Sequence, residues 1–146
     1  MKAVIQRVSR ASVRIEGEAT GNIGKGFVVL LGVGREDSAD DLNYLVKKIT
    51  GLRIFEDENE KMNLSLKDVD GELLVISQFT LFADMKKGNR PSFINAGPAD
   101  LSKGYYKQFI SECRRLGYKT EEGRFGAHME VSLVNDGPVT ITIDSK

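Results

Sequence analysis

Residues 73–82 read LLVISQFTLF, a run dense in apolar and β-branched residues with neither glycine nor proline to break it. Such a run predicts a strand covered on both faces, at the centre of a sheet rather than at its edge. The rest of the chain must supply that cover. Ala11, Val13 and Ile15 alternate with Ser12, Arg14 and Glu16, the period of two that puts one face of a strand in the core. Residues 4–8 extend the same strand character toward the start. Gly21, Asn22, Gly24 and Gly26 tolerate positive φ and predict a turn that delivers the chain into a buried strand over residues 27–33.

Two helical stripes stand out. Ser38 is placed as an N-cap, Asp40 and Asp41 suit a helix N-terminus, and Leu42, Leu45, Val46 and Ile49 fall at i, i+3, i+4 and i+7 before Gly51. A second helix is predicted to open at Pro98 and to carry Leu101, Tyr105, Phe109, Ile110, Cys113 and Leu116 on one stripe until Gly117. A short strand is expected over residues 52–55, a charged turn over 56–61 and a polar loop over 84–95. Near the end, Ala127, Met129, Val131 and Leu133 alternate with His128, Glu130, Ser132 and Val134, and residues 139–143 alternate again after Asn135-Asp136-Gly137-Pro138. That tail predicts a pair of strands. Strands joined by short turns and outnumbering helices predict an α+β fold: a mostly antiparallel, barrel-like sheet with two main packed helices. A chain of 146 residues is expected to form one domain over residues 1–146.

Composition narrows the chemistry. Lys+Arg and Asp+Glu are both 21, so the chain is neutral and does not hold nucleic acid through a broad basic field. With one cysteine, Cys113, and one histidine, His128, neither an internal disulfide nor a soft-ligand zinc site is expected, and the reading is a reducing, cytoplasmic setting with no metal and no cofactor. The longest apolar run, residues 27–31, falls far short of the ~20 residues of a membrane span, so no membrane association is expected. Gly32-Val33-Gly34 sits where a dinucleotide fingerprint would, yet Asp37 stands at the third glycine. Glu56, Asp57, Glu58 and Glu60 crowd one hydrophilic turn without the contrasting environments that acid/base pairs need. His128 falls opposite the apolar Ala127/Met129/Val131 face, directed at solvent or a neighbouring subunit rather than serving as base for Ser77 or Thr80. Cys113 reads as a small buried hydrophobe.

Two segments are not explained by packing. Ser77, Gln78 and Thr80 interrupt the central apolar run, and a buried polar group left unpaired costs about 1–3 kcal/mol, so these side chains need partners in the protein or in a ligand. In Asn135-Asp136-Gly137-Pro138-Val139-Thr140 the proline removes a ladder donor at the start of the last strand. X-Pro bonds are cis in only about 5–6% of folded cases, so the residues alone predict a trans Gly137-Pro138 bond.

These segments, with the opening MKAVIQRVSRASV, Asn89-Arg90-Pro91-Ser92-Phe93 and Gly126-Ala127-His128-Met129, stand in the order and approximate spacing of one family. Over essentially its whole length the chain resembles the D-aminoacyl-tRNA deacylases. The resemblance implies a homodimeric hydrolase that cleaves the ester between a D-amino acid, or glycine, and the terminal ribose of tRNA. It implies that Gly137-Pro138 is cis and reaches into the partner's pocket, offering two carbonyls to the substrate ammonium and blocking an L side chain. Ser77, Gln78, Phe79 and Thr80 would form the pocket floor. Thr80, without a base, is assigned with Ser77 and the backbone around Phe79 to positioning and oxyanion stabilisation, and Gln78 to orienting the strand. Water, helped by the substrate's ribose 2′-hydroxyl, would be the attacking species. Phe125 and Met129 would receive the terminal adenine, and Lys86, Lys87 and Arg90 would meet phosphates.

Two other readings remain at this point. A dimeric binding module for RNA ends or a metabolite would need more basic or aromatic surface than a neutral chain offers. A carboxylate hydrolase would need an acid in an apolar setting, and Glu130 is a weak candidate.

Overall fold

A computed structural model describes residues 1–146. The elements run β1 (Lys2–Ile15), β2 (Glu18–Ile23), β3 (Gly26–Gly32), α1 (Ala39–Thr50), β4 (Phe55–Glu56), β5 (Met62–Leu64), β6 (Glu72–Ser77), α2 (Ala99–Arg115), β7 (Thr120–Glu122) and β8 (Glu130–Asp144). The sheet order is β2-β1-β3-β6-β7, with β8 on the other edge of β1 and β4-β5 as a separate ribbon. β1 is antiparallel to β2, β3 and β8, whereas β3/β6 and β6/β7 are parallel. The sheet is mostly antiparallel and barrel-like as predicted, and each of its two parallel pairs is bridged by a crossover that contains a helix. Gly21 on β2 lies so near β7 that an added Cβ would sit 3.1 Å from the Glu122 carbonyl, so the sheet is nearly closed.

The core has two layers, one on each face of β3. Phe27, Val29 and Leu31 meet Leu42, Leu45 and Ile49 of α1 and Phe109, Ile110 and Cys113 of α2. Val28 faces the barrel interior with Val8, Ala11, Val13, Ile23, Leu74 and Ile76. Cover on both faces is why β3 and β6 are continuous apolar runs. Helix α1 starts at Ser38 as expected, and the Asp41 carboxylate reaches back to the Ser38 backbone N–H at 2.8 Å. On α2 the buried tyrosine is Tyr106, not the predicted Tyr105, because its hydroxyl donates to the Val75 carbonyl at 2.9 Å. Burial pushes that phenol up to about 12. Leu116, placed on the stripe by its spacing, is exposed just beyond the helix. Cys113 is fully buried, as expected, and burial likewise pushes its thiol up to about 12, which leaves it unreactive.

Three expectations are corrected. The run over residues 73–82 is not one strand: β6 ends at Ser77 and residues 79–82 form a 3-10 turn. The glycine pair explains why, since a Cβ on Gly34 would overlap the Phe82 ring and one on Gly32 would press on Leu81 and Phe82. Those glycines make room for Leu81 and the Phe82 ring. The tail is not a pair of strands but one, β8, lying along β1 from Lys2↔Asp144 to Arg14↔Glu130. Its register jumps from Gln6↔Thr140 to Val8↔Asn135, so residues 136–139 bulge out opposite Arg7. The short strand near residue 52 is displaced to Phe55–Glu56, where it pairs with Met62–Leu64 across the charged turn.

Candidate active site

Strand β6 ends where the main chain must turn away, and there Ser77, Gln78 and Phe79 form one wall of a cleft of about 430 Å³. The opposite wall is the segment after β7, Phe125 to Met129, and the third is the entry to α2, Gly97, Ala99 and Ser102. The cleft thus opens beyond the carboxyl ends of two parallel strands, where the divergence of neighbouring loops leaves space for a ligand. Tyr106 ties α2 to β6 two residues before Ser77 and fixes the width between these walls. Ser102 donates to the Gly97 carbonyl at 3.1 Å and closes the loop that leads into α2.

The predicted site residues divide into three groups. Ser77, Gln78, Phe79, Phe125 and Met129 come together in the cleft. Phe125 also tilts against Tyr106, with ring centres 6.1 Å apart, and Met129 packs over Gly123 and the barrel interior, so each joins core to cleft. Thr80 is one step outside: it is exposed on the 3-10 turn, and its hydroxyl accepts a hydrogen bond from Gln78 Nε2. Gly137, Pro138 and Arg90 do not line this cleft. Arg90 lies on an exposed loop pinched by the Asp84↔Ser92 bridge.

Gly137 and Pro138 sit on the exposed β8 bulge, and the bond between them is cis, contrary to the trans bond predicted from residue frequencies. The bulge rests on a residue that sequence reading missed. Arg7 is 4% exposed, and its Nε donates to the Asp136 carbonyl at 3.0 Å while Nη1 donates to the Ile54 carbonyl at 2.7 Å. Glu56 and the Asp136 carboxylate lie 3.7 and 3.6 Å from the guanidinium. The Asn135 side chain closes the bulge, accepting from the Val139 N–H at 3.0 Å and donating to the Thr140 hydroxyl at 3.2 Å. Of the three arginines in β1, Arg7 alone falls on the buried phase with Ala3, Ile5, Ala11 and Val13, and that was the available signal, because an unpaired buried guanidinium is not tolerated.

No carboxylate lines the cleft, and its one titratable side chain is the exposed His128 at the rim. No cluster of three His, Cys, Asp or Glu side chains is disposed to hold a metal. The turn carboxylates are solvent-facing; Asp57 is held below its usual range chiefly by the Lys61 backbone N–H. Glu130 is exposed and pairs in register with Arg14, so it lacks the apolar setting of a raised acid. Phe79, on the cleft wall, is 54% exposed and meets Phe93 edge-on at 4.9 Å; Met85 and Ile94 are also exposed, at 51% and 64%. No helix is long and apolar enough to cross a membrane.

The barrel-like sheet and its hydroxyl- and amide-lined cleft lie within residues 4–144, which match the family model described as D-Tyr-tRNA(Tyr) deacylase. The chain belongs to that family. Among its relatives, D-aminoacyl-tRNA deacylase of Thermosipho africanus is 56% identical over 146 residues, spanning 100% of this chain and 98% of the relative. That of Desulfatibacillum aliphaticivorans is 56% identical, with 100% of both chains covered. A solved structure described as c-Myc DNA Unwinding Element Binding Protein superposes with a TM-score of 0.94 at 45% identity, over 100% of this chain and 99% of that one. A probable eukaryotic D-amino acid tRNA deacylase shares the fold, with a TM-score of 0.82 at 17% identity over 97% of each chain.

Proposed function

We propose that this chain hydrolyses the ester bond of D-aminoacyl-tRNA, and of glycine mischarged on tRNA, and that it does so as a homodimer in which each cleft is completed by the partner's bulge. The observation that carries the reading is what the cleft lacks: it has hydroxyl, amide and apolar walls but no carboxylate to receive an α-ammonium. The Gly137 and Pro138 carbonyls, held on an exposed bulge away from their own cleft, supply two fixed acceptors when inserted from a second subunit. They also occupy the direction an L side chain would take, so handedness is read by exclusion. The outer edge of β8 pairs with no strand of its own chain, and the apolar side chains Phe79 and Ile94 are exposed; both suit a two-fold interface.

Within the cleft, Ser77 and the backbone around Phe79 face the ester oxygen as it becomes negative, and Gln78 fixes Thr80. Neither hydroxyl has a base beside it, so water attacks the carbonyl carbon, one of its protons passing to the vicinal 2′-hydroxyl of the terminal ribose as that hydroxyl gives its own to the departing 3′-oxygen, and the other going to solvent. The 3′-oxygen leaves as an alcohol and the amino acid as a carboxylate. Phe125 and Met129 receive the adenine, whose flat face suits an aromatic ring and a polarisable thioether. A DNA-binding reading, suggested by the description of one structural relative, is less well supported because net charge is zero.

The test is release of amino acid from D-tyrosyl-tRNA and from its L counterpart, each with and without EDTA. Rapid chelator-insensitive hydrolysis of the D form alone is expected. Equal hydrolysis of both forms would remove the exclusion mechanism, and loss in EDTA that zinc restores would remove the metal-free one.

A further inference from the structure

Beside the cleft lies a second depression of about 410 Å³, lined on one side by Lys103 and Lys107 of α2 and on the other by Glu122, Gly123, Arg124 and Phe125. Phe125 lines both, so the two hollows adjoin at one aromatic ring. Helix geometry makes the same connection. Ala99 lines the cleft, and Lys103 and Lys107 follow at i+4 and i+8, one row on a helix that rises ~1.5 Å per residue, so the row of side chains leads from the cleft along the second depression.

The charge in this groove is unbalanced. Its one acid, Glu122, is engaged by Lys107 at 2.5 Å and by Arg114 at 3.3 Å. Lys103 and Arg124 are exposed and form no ion pair, on opposite walls. In a chain of zero net charge, two uncommitted cations lining a groove that adjoins the substrate cleft mark a local track for an anion.

We propose that this groove binds the phosphates of the 3′-terminal strand of tRNA, so that the chain runs from the adenine on Phe125 out between Lys103 and Arg124. The proposal rests on the deacylase reading and adds the path of the RNA beyond the terminal nucleoside. It places sequence-independent affinity on flexible point charges, which suits an enzyme that must accept tRNAs of differing sequence. The loop carrying Lys86, Lys87 and Arg90 is the competing track, and it lines neither hollow.

Lys103→Ala/Arg124→Ala and Lys86→Ala/Lys87→Ala/Arg90→Ala variants are compared with wild type on D-tyrosyl-tRNA and on D-tyrosyl-adenosine, which carries the ester but no phosphate. For the groove variant, kcat/KM on the tRNA should fall about tenfold at low salt. The slope of its logarithm against log salt should flatten by about 1.4–1.8, the loss of two phosphate contacts. Hydrolysis of D-tyrosyl-adenosine should stay within about twofold of wild type by the same reasoning. Equal losses on both substrates, an unchanged salt slope, or a slope carried wholly by the loop variant would each overturn the proposal. Fluorescence anisotropy with uncharged tRNA separates this from failure of the deacylase reading: if no ester is cleaved by wild type, the groove still stands or falls on whether the double variant loses salt-dependent RNA binding.

Discussion

Replacing Arg7 by methionine isolates the support of the β8 bulge. The side chain keeps much of its apolar length but loses two charge-assisted hydrogen bonds, to the carbonyls of Asp136 at 3.0 Å and of Ile54 at 2.7 Å. Each such bond contributes about 1.5–3 kcal/mol. Part of the loss is offset because a guanidinium no longer has to be desolvated, which leaves a net destabilisation of roughly 2–4 kcal/mol. For a chain of this size 1 kcal/mol moves the melting midpoint by about 2–4 °C, so a drop of roughly 5–15 °C is expected. Arg7→Lys, which keeps the charge but cannot reach both carbonyls, should fall between. Activity should fall further than stability: at 25 °C, where both variants remain folded, kcat/KM for D-tyrosyl-tRNA should be down at least about tenfold, since the residue next to Asp136 is Gly137 and an untethered bulge no longer presents its carbonyls in one orientation. Circular-dichroism melts and single-turnover deacylation read the two effects separately. An unchanged midpoint for Arg7→Met, or full activity with a lowered midpoint, would refute this account of the bulge.

Two further outcomes follow from other sites. Burial alone would raise the Asp41 carboxyl, but hydrogen bonds from the Ser145 hydroxyl at 2.7 Å, the Ser38 N–H at 2.8 Å and Lys146 at 3.1 Å outweigh it and hold the group well below its ordinary 3.8. A carboxyl lowered on folding stabilises fully above its unfolded value and loses that contribution as pH falls below it, so Asp41→Asn should lower the melting midpoint at pH 7 and flatten its acid decline below about pH 4; parallel acid limbs would contradict this. An added Cβ at Gly123 would overlap Met129 Sδ, the mobile end of a side chain, so Gly123→Ala should cost little stability while shifting a cleft wall. KM for D-tyrosyl-tRNA should rise about fivefold with kcat nearly constant, and an unchanged KM would show that Met129 does not meet substrate.

Local chemistry made α1 and the apolar strands readable: Ser38, Asp41 and the Leu42/Leu45/Val46/Ile49 stripe all act within about three turns of helix, and β3 announces its two covered faces residue by residue. Features set by distant partners were not readable. Nothing within residues 73–82 says that the strand stops at Ser77, because the cause is the missing side chains of Gly32 and Gly34 across the sheet. Tyr105 and Tyr106 are neighbours on α2, and only the Val75 carbonyl, 31 residues away, selects Tyr106 for burial. β7 is three residues long, too short for alternation to register. Of the cleft, Ser77 and Gln78 were visible as polar interruptions and Gly137-Pro138 as an irregularity, while Arg7 was hidden because its partners, Ile54 and Asp136, lie 47 and 129 residues away.

The pairing of β8 along β1 joins residues 2–14 to residues 130–144, and this has a consequence for the order of events at the ribosome. Helix α1 and the β4-β5 ribbon can form as they emerge, but one edge of β1 stays open until the last strand is synthesised and has cleared the exit tunnel. A contact of such sequence separation closes slowly, since nearly the whole chain must be restrained before the ladder returns any stability. During that interval β1, with its apolar Ala3, Ile5, Val8 and Val13, is a nascent edge open to wrong partners. The bulge carrying Gly137 and Pro138 lies within β8, so it takes its place against Arg7 only in the step that also closes this edge of β1.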